Sequence, residues 1–504
     1  MSAGPIGLHA PEAVAVYRAE GARYPEHPPF HPGQAYPEYA FGEVAAEPND
    51  VYDAVRETFR LAGLDPERYG TPEWNPLRGL VRPGETVLLK PNMVYELHPR
   101  DPEGWKYVLT QGSVVRAVAD YVWKALEGEG RLILADAPIT EASFSTMAGL
   151  LGLTDIRDFY HARGMPLELV DLRLQEWTVR DSVIHARRTL PGDPRGGVAY
   201  DLADASELAP HPGGGRYYGA DYKTEQVNHH HTEGRHEYKI AASAIVADVV
   251  FSLPKLKTHK KAGITATLKN LVGVNGDKNW LPHHTEGDPK TGGDEHPRPG
   301  IVHRTERAAV RAFRAISMNV PVLGPWLHTR ARQMGKQVFG DTEKVIRSGN
   351  WSGNDTVWRM CLDLNKLIFY GNPDGTLRTP GPAGRKRHLS LVDGIVAGEG
   401  SGPLNPDPVQ AGILLFGVHP ASVDAACAYL MGLDPDRIPI VSNAFRTRGY
   451  PLAEWAWRDV RVVSNVPAWN ARLPQIPDEA TFHFRPHFGW AGKVERRAPA
   501  EAAA

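Results

Sequence analysis

Phe251-Ser-Leu-Pro-Lys-Leu-Lys-Thr-His-Lys-Lys-Ala-Gly-Ile-Thr-Ala-Thr-Leu-Lys-Asn-Leu-Val-Gly273 decides how this chain is read. It leaves an apolar strand, Val249–Leu253, is stopped by a proline, and carries five lysines and one histidine into a threonine-rich helix start. That is a poor way to build a core. In open α/β sheets ligands sit beyond the carboxyl ends of the strands, so a basic segment leaving a strand end marks a candidate pocket. Alternate side chains of an extended segment share a side. Lys255 and Lys257 are therefore expected on one face with His259, as donors to a carboxylate or phosphate. A solvated basic edge strand is the competing reading. A helix beginning near Thr265 would add free backbone N–H groups and a positive dipole end, with Lys269 and Asn270 about one turn on.

Working outward, Val87-Leu-Leu-Lys-Pro91 reads as a buried strand ended by proline. Ser113 caps a helix with Val115, Val118, Val122 and Leu126 on one face, and Leu132-Ile-Leu-Ala-Asp136 is the next strand. Strand, helix, strand implies a parallel sheet with a crossover. It brings Lys90, Asn92 and Asp136 to the same rim as the basic segment. A second unit has strands at Leu389-Ser-Leu-Val-Asp-Gly394, Gly412–Val418 and Val460–Val463, with a helix over Ala421–Met431. The predicted class is α/β: mostly parallel sheet with helices on both faces, long loop insertions and two α/β halves. The predicted divisions are an extended arm over 1–48, a first half over 49–275, a His/Gly-rich insertion with a helix over 276–350, a second half over 351–490 and a frayed tail over 491–504.

Composition bounds the chemistry. The chain has 504 residues, 42% hydrophobic and 23% charged, with a net charge of −2, so no global field draws nucleic acid or an anionic membrane. Two distant cysteines, Cys361 and Cys427, supply neither a disulfide framework nor an iron–sulfur cluster and fit a reducing compartment. No basic-then-apolar leader and no apolar run of membrane length is present, so the chain reads as cytoplasmic. The 21 histidines cluster in Asn228-His-His-His231 and Pro282-His-His284. His230, His283 and His284 are the candidate ligands for a divalent transition metal, although their spacing matches no closed zinc site. Glu399-Gly-Ser-Gly-Pro403 is a glycine-rich loop after a strand. It lets backbone approach a ligand and offers Glu399 as an acid/base group or metal ligand, or it is simply a tight turn. No P-loop and no dinucleotide fingerprint occurs, so NAD is not expected.

Six motifs in order resemble the domain-of-unknown-function 362 family: Leu88-Leu-Lys-Pro-Asn-Met93, Leu134-Ala-Asp-Ala-Pro138, Leu253-Pro-Lys-Leu-Lys-Thr-His259, Thr267-Leu-Lys-Asn-Leu271, Val392-Asp-Gly394 and Glu399-Gly-Ser-Gly-Pro403. The resemblance spans about residues 85–435. Many relatives carry an appended ferredoxin-like cluster domain, for which this chain has no cysteines. His259-Lys-Lys-Ala-Gly followed by Lys269 is also similar to the His…Ala-Gly…Lys spacing in the N-terminal domain of nickel-pincer lactate racemases. There the lysine anchors a nicotinate-derived pincer and histidines work on the substrate. Lys90-Pro-Asn92 and Asp136 depart from that family's pattern, so the resemblance implies a related scaffold and pocket position, not racemase activity.

The expectation is an enzyme acting on a small anionic substrate. Lys90, Asn92, Lys255, Lys257, Thr265, Lys269 and Asn270 would hold it, and Asp136, His259 and Glu399 would act as acid/base or metal groups. The alternatives are a non-catalytic binding protein for an anionic metabolite or glycan, and a metal-dependent, racemase-like isomerase. The expected partners are that small molecule and, at most, further copies of the chain.

Overall fold

A computed structural model describes residues 10–180, 183–219, 224–232, 234–299 and 345–496. Eleven strands form its main sheet: β1 (Ala13–Arg18), β2 (Thr86–Pro91), β3 (Arg131–Asp136), β4 (Leu167–Asp171), β5 (Val249–Leu253), β6 (Lys255–His259), β7 (Gly263–Thr265), β8 (Arg387–Ser401), β9 (Asn405–Val409), β10 (Ile413–Gly417) and β11 (Arg461–Ser464). The spatial order is β11-β1-β10-β8-β5-β2-β3-β4. From β8 through β5, β2 and β3 to β4 all pairs are parallel. The long strand β8 runs on past β5 and pairs there with β6 in parallel and β9 antiparallel. Antiparallel β10 and β1 and a parallel β11 complete the far edge.

Strands buried on both faces read as continuous apolar runs, and these do. Val87, Leu89, Leu132, Leu134 and Phe251 pack on one face under α1 (Asp50–Leu61), α2 (Gly112–Leu126) and α3 (Leu153–His161). Leu88, Ile133, Ala135 and Val250 face the other way, into a core with α4 (Thr267–Asn270), α5 (Val357–Tyr370) and α6 (Pro420–Leu430). The α1 start is the one its sequence announces, with the Asn49 side chain accepting the Tyr52 N–H at 3.0 Å.

The two halves complete one sheet, because β8 of the second lies directly beside β5 of the first, with β10 on its other side. The N-terminal segment is more structured than an arm. Ala13-Val-Ala-Val-Tyr-Arg18 is inserted in the sheet between β10 and β11. Too short to stand out by periodicity, it gains its strand pairing only from partners some 400 residues away. The rest of the arm lies over α1 and α2. Buried Glu38 pairs with Arg56 at 2.5 Å, and the Arg116 guanidinium donates to the Pro29 carbonyl at 2.8 Å. From the insertion, Pro282–Thr285 pairs with Tyr217–Gly219. Residues 300–344 of the 276–350 insertion, where its helix is expected, lie outside the described residues. Of the predicted tail, Glu495 is held by a bridge to Leu433, and residues 497–504 lie outside the description.

Three histidines outside the site make the fold acid-sensitive. Burial pulls His231, His388 and His419 from the usual 6.5 down to about 3. Between those values the unfolded chain binds protons that the native chain refuses. Their contribution is therefore complete above pH 6.5 and is lost as pH falls toward 3, by up to about 1.4 kcal/mol per pH unit for each histidine. Urea unfolding at pH 7.5 and 5.0 is expected to show a lower midpoint at pH 5.0; equal midpoints contradict this.

Candidate functional site

The carboxyl ends of β2, β3 and β6 open on a cavity of about 340 Å³. The 3₁₀ segment Leu271–Val274, the Lys278–His283 stretch and the hairpin turn at Pro403-Leu404 enclose it. Five lysines line it (Lys90, Lys260, Lys261, Lys269, Lys278), with His259 and His283 and two carboxylates, Asp136 and Glu141. Val94, Ile139, Val272, Leu281 and Leu404 give it an apolar portion.

The floor is a closed polar network. Lys90 and Asp136, both buried, pair at 2.8 Å. Asp136 also accepts the backbone N–H groups of Met93 and Ala137, each at 2.7 Å. The Lys90 ammonium donates further to the Pro91 carbonyl at 2.6 Å and to Asn270 Oδ1 at 3.2 Å. Asn270 Nδ2 closes the circuit on the Lys90 carbonyl and Ser252 Oγ, both at 2.9 Å. Burial pushes Asp136 up and Lys90 down, and their mutual attraction opposes both shifts. Asn92 stands at the rim. Its N–H donates to Thr110 Oγ1 at 2.9 Å, while its buried amide oxygen has no hydrogen-bond partner among the described residues.

The two cavity histidines hold opposite tautomers. His259 Nδ1 accepts the backbone N–H groups of Lys261 and Ala262 at 3.0 and 3.1 Å, a local turn made by its own side chain. Neutral His259 therefore carries its proton on Nε2. His283 Nδ1 donates to the Leu281 carbonyl at 3.0 Å, which leaves Nε2 with a bare lone pair. Both rings line the cavity, and neither Nε2 is bonded to a described residue. Both rings are held well below the usual range and are neutral at pH 7. Burial is the main cause for each, followed by Lys269 and Lys260 for His259 and by Lys261 and Lys269 for His283.

Lys269 makes no hydrogen bond or ion pair with any described residue, yet it acts electrostatically on Lys90, Lys257, His259, Lys261 and His283. Lys261 contacts His284 Nδ1 at 3.3 Å, and burial, then Lys260, push its ammonium down to about 7. Lys278 is engaged with the Ala137 and Asn275 carbonyls at 2.7 and 3.0 Å.

The structure thus brings Lys90, Asn92, Asp136, His259, Lys269, Asn270 and His283 together and leaves the other predicted residues apart. Lys255 and Lys257 share the strand face with His259 but are swallowed by the core. Lys255 pairs with Asp393 at 3.0 Å and with the Tyr24 hydroxyl at 2.6 Å, and Lys257 donates to the Val108 carbonyl. Thr265 is buried in β7. The N–H groups at the start of α4 are not free: buried Asp424 of α6 accepts from Thr267 and Leu268 at 2.7 and 3.1 Å. The anion expected at that helix end is the protein's own carboxylate, which burial raises to about 7. Glu399 lies in the hairpin β8–β9 and accepts the Arg485 N–H at 2.8 Å, so its glycine-rich loop is a turn that lends the cavity only Pro403 and Leu404. His284 stacks on Tyr218 at 4.9 Å, and His230 stacks on Trp280 at 3.5 Å while contacting Glu237 at 2.9 Å. Among the described residues no three His, Cys, Asp or Glu side chains are placed to hold a metal ion, so the three candidate histidines are not gathered in one group there. Lys260 and Lys261 line the cavity because the β6–β7 turn folds over it. Glu141 carries no sequence signal beyond following the Asp136 strand end.

Residues 209–429 match the family described as "Domain of unknown function (DUF362)". That span holds His259, Lys269, His283 and Asp424 and begins after Lys90 and Asp136. The chain is also 22% identical over 404 residues to Thylakoid-associated protein sll1697 of Synechocystis sp., covering 80% of this chain and 81% of that protein. No solved structure matches. Among the described residues no helix is long and apolar enough to cross a membrane.

Gly273 reports how tightly the floor is closed. Its carbonyl accepts the Ala137 N–H at 2.9 Å, and a Cβ on it would lie 2.0 Å from Asp136 Oδ1 and 2.7 Å from Lys90 Nζ. Gly273→Ala is expected to break the Lys90–Asp136 pair and destabilise the fold by about 2–4 kcal/mol, read by urea unfolding. A loss under about 0.5 kcal/mol would mean the network yields freely.

Proposed function

We propose that the cavity binds a small anionic molecule and that the chain is an enzyme of the family matched over residues 209–429. The carrying observation is Lys269, an ammonium group in a cavity wall without a described partner, beside the N–H of His259. Among the described residues of the lining, lysines outnumber carboxylates five to two, and one of those carboxylates is matched by Lys90. A partly enclosed cation of this kind strengthens attraction for an anion. The apolar portion and the modest volume favour a compact carboxylate or phosphate ester with a short apolar body. A second reading, a non-catalytic binding protein, is favoured by one observation: both oxygens of Asp136 are already committed to hydrogen bonds.

A thermal-shift panel of small carboxylates and phosphate monoesters should find at least one that raises the melting temperature by several degrees at saturation. Lys269→Ala should keep its own melting temperature within a few degrees and lose that shift. If the variant still shifts fully, the reading fails.

Lys261 gives the binding a pH signature. Its ammonium titrates near 7 among Lys260, Lys269, Asp294, Glu295 and His284. An anion favours the charged form, so affinity should rise as pH falls from 8 to 6, by up to about tenfold per pH unit above 7. Calorimetric titration at pH 6, 7 and 8 measures this, and Lys261→Met should flatten the dependence.

A further inference from the structure

We infer that His283 is the proton acceptor of the cavity and His259 its fixed hydrogen-bond donor, so that the bound anion must present a hydrogen to one and an oxygen to the other. This rests on the cavity being the binding site. The Leu281 carbonyl takes the Nδ1 proton of His283 at 3.0 Å, and two backbone N–H groups occupy Nδ1 of His259 at 3.0 and 3.1 Å. The main chain thus sets each tautomer and leaves a free lone pair on one ring and an N–H on the other, and both rings line the same cavity. Of the two described cavity carboxylates, Asp136 has Lys90, Met93 and Ala137 on its oxygens, and Glu141 accepts the Thr140 hydroxyl at 3.4 Å. Burial, and after it the neighbouring lysines, keep both rings neutral, which preserves the lone pair at pH 7.

A proton-transfer step follows directly. His283 Nε2 takes a proton from an O–H or acidic C–H of the bound molecule and becomes imidazolium. The electron pair stays on the atom that lost the proton, where Lys269 and the His259 N–H stabilise the new charge. Return of the proton from His283 completes the exchange, and no further reactant is needed.

Two anions of similar shape and charge separate donors from non-donors. Hydrogen phosphate carries a hydrogen that His283 can accept; sulfate carries none and would set an oxygen against the lone pair. Calorimetry at pH 7.5 is expected to find phosphate at least about tenfold tighter than sulfate. His283→Ala should reduce that ratio to near one, while Lys269→Ala weakens both anions alike. Equal or tighter sulfate binding overturns the assignment. Nitrogen-15 NMR of the histidine rings decides the case even if neither anion binds. Nε2 must be unprotonated in His283 and protonated in His259, and the reverse pattern in either ring overturns the inference. Failure of both anions with the expected NMR pattern counts against the anion-binding reading and leaves the tautomer assignment standing.

Discussion

The pair between Lys90 and Asp136 fixes the geometry on which the site depends. It ties the ends of two neighbouring parallel strands, β2 and β3, to each other and, through Asn270, to the short helix α4. Removing two charges from water is costly, and the cost is recovered only when every remaining donor and acceptor is matched. Here the matching is supplied by the Pro91 carbonyl, two backbone N–H groups and the Asn270 amide. The helix that carries Lys269 is therefore positioned by its neighbour in sequence, Asn270, above a fully matched floor, while Lys269 itself has no described partner.

Satisfaction of one group and exposure of another is the recurring division. Asp424 takes the N–H groups at the start of α4, so that helix end offers nothing to a ligand. Main-chain groups occupy one nitrogen of each cavity histidine and thereby define the other. Lysines of one short segment meet three fates. Lys255 becomes half of an internal ion pair, Lys257 is buried against a carbonyl, and Lys260 and Lys261 turn over the cavity. Residue type is constant through that series; only the surroundings differ.

Much of the frame was legible because apolar runs of strand length separated by amphipathic helices have few ways to fold. β2, β3, β5 and α2 fall within a residue or so of their predicted limits. β1 was not legible, because six residues gain strand character only from partners far along the chain. Of the candidate site's lining, Lys90, Asn92, Asp136 and His259 were legible as polar residues at strand ends, and Lys269 and Asn270 as part of the helix that follows. Lys255 and Lys257 were misplaced for a specific reason. Alternation says which side chains share a face, but not whether that face meets a cavity or the packed segment around Val108 and Asp393.

By itself the sequence determined the α/β class, the strand ends that carry polar residues and the basic segment between β5 and α4. Hydrophobic periodicity and proline stops act over a few residues, so these features are written locally. The tertiary structure alone decided which of those polar groups are consumed by one another and which remain open. It paired Asp136 with Lys90, capped α4 with Asp424, placed His283 opposite the basic turn and set the protons of the two histidines. The physical reason is that a buried hydrogen bond depends on partners tens or hundreds of residues away, and no local pattern records where the fold will bring them.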